Sequence, residues 1–351
     1  MAPLASVRYK QGKLLGKLEG LGFHLREEAN LETLTQDVMK SSEIEGELLP
    51  LDQVRSSIAK HLGIEIAGEI PISRNVTGVV DMMLDATQHF DEPLTKERLF
   101  HWHTSLFPLV RTTQMISIGS WRQDAGGPMQ VISGPMGRER IHYEAPAAAR
   151  VEVEMDRFLT WFNSENAIDP ILKAAISHFW FVTIHPFDDG NGRIARAVAD
   201  MQLARADGSR QRFYSMSAQI QRDRKTYYEV LEKTQKGDLD ITEWLKWFFL
   251  CLANAVLFSE KSLAHVISKS RFWEAQRFMT ISERQRIMLN KLLDGFEGKL
   301  TSTKWAKIMK CSTDTAGRDI QDLVAKGILE KEEKGGRSTS YRIVSKHFEQ
   351  R

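Results

Sequence analysis

Cysteine is scarce in this 351-residue chain, with Cys251 and Cys311 the only two. Two thiols cannot build a disulfide framework, and neither stands in a cluster of metal-ligand residues. Both are expected to be reduced. No apolar run reaches the roughly 18–20 residues of a membrane span. The start, MAPLASVRYKQGKLLGK, lacks the compact apolar core of a signal peptide. The expectation is a cytoplasmic protein with no membrane partner. Ten prolines and 23 glycines are too few and too scattered for a linker-rich or collagen-like chain. Charge of one sign is lacking too: 48 Lys+Arg against 46 Asp+Glu leave +2, so nucleic acid is neither demanded nor excluded.

What remains is ordinary globular composition, 42% hydrophobic and 27% charged, with length for two or three domains and a real core. Apolar residues at three- and four-residue spacing predict helices at 30–48, 51–62, 74–90, 95–106, 150–163 and 170–184. The same spacing recurs at 190–206, 223–235, 240–269, 281–294, 302–309 and 313–326. Only Gly126–Pro146, GGPMQVISGPMGRERIHYEAP, breaks this pattern. Its glycines and prolines bracket two β-prone runs, Gln130–Ser133 and Arg140–Tyr143, which predicts a hairpin. The fold class expected is mainly α with one β-hairpin, followed by a separate tail. There is no internal repeat and no low-complexity tract.

A boundary is expected near 270–280. Residues 280–351 hold 15 Lys+Arg and 10 Asp+Glu, a local +5 that leaves −3 for the rest. Helices, a turn at Cys311–Ser312, a helix from Thr313 to Lys326, and strand-like runs Leu329–Glu332 and Ser340–Ile343 around KGGR follow in order. That order predicts a winged helix-turn-helix, with Lys331, Lys334 and Arg337 on the wing. Its charge permits DNA, but Asp314, Asp319 and Asp322 stand on the recognition helix beside only Arg318 and Lys326. Docking to a protein is therefore favoured over DNA.

The chemistry concentrates in His185-Pro-Phe-Asp-Asp-Gly-Asn-Gly-Arg-Ile-Ala-Arg196. An apolar helix precedes it and a second one opens from it. The backbone N–H groups of such a helix start converge on one spot, and the macrodipole favours an anion there. Gly190 and Gly192 leave room for a close ligand, as in a phosphate cradle. Arg193 and Arg196, three apart, share a face and can clamp phosphate oxygens. Asp189 is a hard carboxylate placed for Mg²⁺. His185, at the end of the preceding helix, is the residue suited to take a proton from a hydroxyl. Phe187 is expected to plug the loop into the core.

The string HPFDDGNGRIAR matches HxFx(D/E)GNGRxxR at every defined position and resembles the motif of Fic-domain proteins. That resemblance implies a helical core with a β-hairpin flap, and transfer of AMP from ATP to a hydroxyl of a target protein or of the enzyme itself. It implies that His185 is the general base for a Tyr, Ser or Thr hydroxyl and that Asp189 coordinates Mg²⁺. Gly190, Asn191 and Gly192 would hold the α- and β-phosphates, and Arg193 and Arg196 the outer ones. Gly126–Pro146 sits where the family keeps its flap, with Val131, Ile132, Ser133 and Gly134 on the ATP side; a surface hairpin without a ligand would look the same. Arg224-Lys-Thr-Tyr-Tyr228 resembles the part that borders the adenine, with Tyr228 as a base or ribose contact or a plain core tyrosine.

Near the start, Ser41-Ser-Glu-Ile-Glu45-Gly46 resembles the family's inhibitory motif (S/T)xxxE(G/N). Ser41 and Glu45, four apart, would share one face of a helix running up to Pro50. Glu45 would then pair with Arg196 and fill the space of the γ-phosphate, leaving ATP misaligned for in-line attack. An inhibitory helix before the core is the class II arrangement, and with the C-terminal winged helix the chain resembles SoFic-type bacterial adenylyltransferases. The domains expected are 1–65 with the inhibitory helix, 66–270 catalytic, and 280–351 winged helix. The family also implies a homodimer and, through Glu45, removal of AMP as a second direction. Two other readings stay open: a nucleotide-sensing, DNA-binding regulator, and a Fic enzyme using another phosphate donor.

Overall fold

A computed structural model describes residues 2–19, 22–64, 70–108, 116–124, 127–135, 137–165, 167–293, 296, 298–332 and 339–344. The chain divides into two compact units, Met1–Lys261 and Ser262–Arg351. The first opens with α1 (Ala2–Glu19), α2 (Phe23–Ile44), α3 (Leu51–Leu62), α4 (Arg74–Gln88) and α5 (Lys96–Leu106). A hairpin of β1 (Gln130–Ser133) and β2 (Arg140–Glu144) follows, then α6 (Ala148–Asn163), α7 (Pro170–Ile184) and α8 (Asn191–Asp207). The short α9 (Met216–Arg222) and α10 (Arg224–Gln235) lead into α11 (Thr242–Ala275), which runs across the division.

The centre of the first unit is α8, buried along nearly its whole length, from Asn191 through Ala204. It packs against α7, α4, α5, α2 and α9. Its apolar positions join the core, while its buried Arg193, Arg196, Asp200 and Gln202 are polar groups that need partners there. Its partner α7 starts cleanly because Asp169 accepts from the N–H groups of Ile171 and Leu172, with Pro170 in the first turn. Gly78 allows α4 to touch α5, since a Cβ there would lie 1.7 Å from the Ser105 carbonyl oxygen. Below the centre, buried Arg212 pairs with Asp200 at 2.9 Å and Asp207 at 3.3 Å, and Asp37 accepts from Ser215 and the Ser217 N–H. Those contacts tie α8 and α9 to α2.

The predicted helices are present, with instructive differences. Helix α1 was not expected, because buried Gln11 interrupts the stripe of Val7, Leu14 and Leu18. Helix α2 begins earlier than predicted and ends at Ile44, so Glu45 caps it rather than riding inside a helix that reaches Pro50. Among the described residues one helix, α11, is long and apolar enough to cross a membrane by length and composition. Lys246 and Glu260 bracket its apolar stretch, which hid it from a count of uninterrupted residues. Trp244, Phe248, Leu252 and Val256 on it are buried in the protein core.

The second unit holds α12 (Glu283–Leu293), α13 (Ser302–Met309), α14 (Thr313–Ala325) and an antiparallel pair, β3 (Leu329–Lys331) and β4 (Tyr341–Ile343). Its core gathers Phe272, Met288, Leu289, Trp305, Ile320 and Leu323. Lys331 ends β3, while Lys334 and Arg337 lie outside the described residues. Two of the acids that weigh against DNA are taken up internally. Asp319 is buried on Arg284, at 2.5 and 2.9 Å, and Asp322 accepts from Gln285 and Lys326.

Candidate active site

The α7–α8 turn is built around strain and burial. His185 caps α7 in the left-handed region (φ 52°), its N–H bonded to the Phe181 carbonyl. Gly190, at φ 81°, turns the chain into α8, and a Cβ there would press on Leu106 and Phe107. Between them Phe187 is fully buried and stacks at 4.2 Å on His103. Asn191 closes the turn: its side chain accepts from the Phe187 N–H at 3.0 Å and donates to the Phe187 carbonyl at 2.7 Å. Its side chain is thus committed to the loop, leaving only its backbone for a ligand.

Two residues that the sequence reading missed hold this loop. Buried Arg122 donates from Nε to the His185 carbonyl at 2.8 Å and from its backbone N–H to the Pro186 carbonyl at 2.9 Å. It also pairs with Asp124 at 2.7 Å and donates to the Pro146 carbonyl, while Asp124 accepts from the Ala148 N–H. One guanidinium therefore ties the His185 turn to the exit of the hairpin. His103 accepts from the Gly119 N–H at Nδ1, so its Nε2 carries the proton and donates to the Asp189 carbonyl at 3.2 Å. Burial pushes its pKa down to about 4, so it is a neutral strut. Neither residue announces itself by spacing; Arg122 stands just ahead of the Gly/Pro stretch, and His103 reads as one more helix residue.

His185 donates from Nδ1 to the Val182 carbonyl at 3.2 Å, which leaves Nε2 with its lone pair. Burial lowers its pKa to about 4, opposed by the Val182 bond and aided by nearby Arg122. The ring is therefore neutral at pH 7 and able to accept a proton. Asp189 is exposed, and its carboxylate accepts from the Gly190 N–H at 2.6 Å. No group of three or more His, Cys, Asp or Glu that could hold a metal occurs among the described residues. A single exposed carboxylate fits Mg²⁺ carried in on phosphates, which keeps most of its waters, rather than a resident metal cage.

The cradle itself is filled by the end of α2. A Cβ on Gly192 would lie 2.2 Å from Glu45 Oε1, so that carboxylate rests on the turn. The same oxygen is 2.8 Å from Arg196 Nη1. Ser41 holds the rest of that guanidinium, accepting at Oγ from Nε (2.9 Å) and at its carbonyl from Nη2 (2.8 Å). Gly46, at φ 86°, reverses the chain, and Glu47 then pairs with Arg193 at 2.8 Å. Tyr228 stands at the edge of this contact, its hydroxyl donating to Glu45 Oε2 at 3.4 Å. Ser41, Glu45, Gly46, Gly192, Arg193, Arg196 and Tyr228 thus meet at one place.

The hairpin is docked beside them. Val131 pairs with Tyr143 and Ser133 with Arg140, with a bulge between Val131 and Ile132. The Tyr143 hydroxyl donates to the Thr183 carbonyl at 2.8 Å, two residues from His185. Glu232 on α10 receives Arg140, His142 and Lys236, which hold its pKa down at about 2. Ile132 is 54% exposed, Ser133 bonds His142, and Gly134 turns at φ 104°. Gly126, the first residue of the expected flap, lies outside the described residues.

Residues 93–203 match the family profile described as Fic/DOC family, and residues 1–64 match one described as a domain of unknown function, DUF4172. The chain carries a Fic/DOC domain at its centre. It is similar to a protein named protein adenylyltransferase Fic from Drosophila grimshawi, 26% identical over 216 residues, 60% of this chain and 40% of that one. A protein of the same name from Nematostella vectensis is 40% identical over 96 residues, 27% of this chain and 21% of the relative. The chain thus spans 40% or less of the length of these two relatives. Among solved structures, a Fic family protein from Desulfovibrio desulfuricans G20 aligns with a TM-score of 0.54 at 20% identity, over 100% of this chain and 98% of that one. A Fic domain containing signaling protein from Bacteroides thetaiotaomicron VPI-5482 aligns with a TM-score of 0.55 at 18% identity, over 74% of this chain and 96% of that one. These likenesses establish the Fic fold.

Proposed function

We propose that the protein is an adenylyltransferase that moves AMP from ATP to a Tyr, Ser or Thr hydroxyl of a protein, and that Glu45 restrains it. The observation that carries this reading is a neutral His185 with Nε2 uncommitted, next to a helix start bearing two buried arginines. In the reaction, the target hydroxyl oxygen bonds to the α-phosphorus while the bond to pyrophosphate breaks. His185 Nε2 takes the hydroxyl proton. The α8 N–H groups at Asn191 and Gly192, with Arg193 and Arg196, stabilise the charge that grows on the phosphates. Asp189 would hold Mg²⁺, whose contribution is to neutralise phosphate charge. Tyr228 and the hairpin residues Ile132, Ser133 and Gly134 would border the nucleotide.

Glu45 supports the restrained state because its carboxylate occupies the turn that phosphates need and pairs with Arg196. The same carboxylate is a reasonable orienting group for water in removal of AMP. In this reading the C-terminal unit is a winged helix that docks a protein, and the chain works as a homodimer. The test is ATP labelled at the α- or the γ-phosphate, incubated with the Glu45→Gly variant. Protein-bound label from the α position alone supports AMP transfer. Label from γ, or label that persists after His185→Ala, contradicts it.

A further inference from the structure

Glu47 stands outside the six-residue inhibitory motif, yet it occupies the second cation of the cradle. One turn delivers both carboxylates. The N–H groups of Glu45 and Glu47 both return to the Ser42 carbonyl at 3.0 Å, and Gly46 between them takes the left-handed conformation. Glu45 and Glu47 are two apart, and they meet Arg196 and Arg193, which are three apart on α8. Each pair closes at 2.8 Å.

The Arg193 side chain is 8% exposed, its Nε is buried without an acceptor, and its guanidinium lies 5.2 Å from the centre of the Phe107 ring. A guanidinium in that setting is built for an anion offering several oxygens, and one carboxylate leaves a donor unmet. Glu47, by contrast, is 34% exposed and free to swing into water.

We infer that Glu47 sets nucleotide affinity by occupying the phosphate position of Arg193, and that it must leave before an ATP phosphate can pair there. This rests on the reading that Arg193 serves nucleotide phosphates. Glu45 and Glu47 then divide the restraint. Glu45 governs how bound ATP is aligned, and Glu47 governs how tightly ATP is held.

The experiment is calorimetric titration of the full chain with Mg²⁺–ATP, which needs no turnover. The proteins are wild type, Glu47→Gln, Glu28→Gln, Arg193→Gln and Arg193→Gln/Glu47→Gln. Glu28 pairs with Arg55 away from the cradle, so Glu28→Gln controls for the change in net charge. Glu47→Gln is expected to tighten ATP roughly three- to tenfold, the scale of a partly exposed ion pair. Glu28→Gln should leave Kd unchanged, and the gain should vanish in the Arg193→Gln background. Equal or weaker binding by Glu47→Gln, or an equal gain in either control background, would overturn the inference alone. Absence of ATP binding in every protein would overturn it together with the proposed function.

Discussion

Replacing Glu45 by glutamine keeps its shape and removes its charge, which isolates what that charge does for Arg196. The Arg196 side chain is 1% exposed and would then lose its carboxylate partner, keeping the neutral Ser41 hydroxyl and carbonyl. Removing one partner of a fully buried pair costs about 3–5 kcal/mol. Glu45, however, is 33% exposed, so water already screens its side of the pair. That discounts the loss to about 1–2 kcal/mol. For a unit about the size of Met1–Lys261 each kcal/mol moves Tm by about 2–4 °C, so the Tm of that unit should fall by about 2–8 °C. ATP supplies phosphate charge to the same guanidinium, so saturating Mg²⁺–ATP should raise Tm more in Glu45→Gln than in wild type. Circular dichroism melts of both proteins, with and without nucleotide, read this directly. A nucleotide-free Tm that is unchanged or higher in the variant would refute the reasoning.

Three further outcomes follow from the packing. Burial holds His103 and His185 at about 4 and His178 at about 3, against 6.5 for the free side chain, so the fold prefers all three neutral. Their contribution is complete above pH 6.5 and is lost as pH falls towards 4, by up to about 1.4 kcal/mol per pH unit for each histidine. The urea midpoint should therefore drop between pH 7 and pH 5; a flat or rising midpoint contradicts this. Gly78→Ala must separate α4 from the Ser105 carbonyl and should destabilise by about 1–3 kcal/mol despite the better helix former, and an unaltered melt would contradict that contact. Arg122→Lys cannot span the His185 and Pro146 carbonyls together with Asp124. In a Glu45→Gly background it should slow AMP transfer about tenfold or more while ATP binding stays within about twofold, and equal rates would remove the strut from the account.

Much of this was legible because the relevant signals are local. The turn from His185 to Arg196 declares itself through glycines, a proline and two arginines at fixed spacing. Helices such as α4 and α6 carry an apolar face that a period of 3.6 exposes. The expected hairpin strands fall at Gln130–Ser133 and Arg140–Glu144, because turn residues bracket β-prone runs. What stayed hidden depends on contacts distant in sequence. Arg122 reaches the His185 carbonyl across 63 positions, and His103 reaches Asp189 across 86. Glu47 meets Arg193 across 146 positions, and nothing near either residue forecasts the pair. The end of α2 was misjudged because an apolar pattern continues through Leu48 and Leu49. The backbone nonetheless turns at Gly46, and that turn is what aims Glu45 and Glu47 at α8.

At the centre of the proposal, His185 is the base for AMP transfer and Glu45 restrains it. Intact-protein mass spectrometry after incubation with Mg²⁺ and ATP tests both at once, on wild type, Glu45→Gly and Glu45→Gly/His185→Ala. The account predicts a gain of one AMP in Glu45→Gly, a faint gain in wild type and none in the double variant. An equal gain in wild type and Glu45→Gly would contradict the restraint. A gain that survives His185→Ala, or no gain in Glu45→Gly even with a lysate supplied as a source of targets and no AMP on any target, would contradict the chemistry.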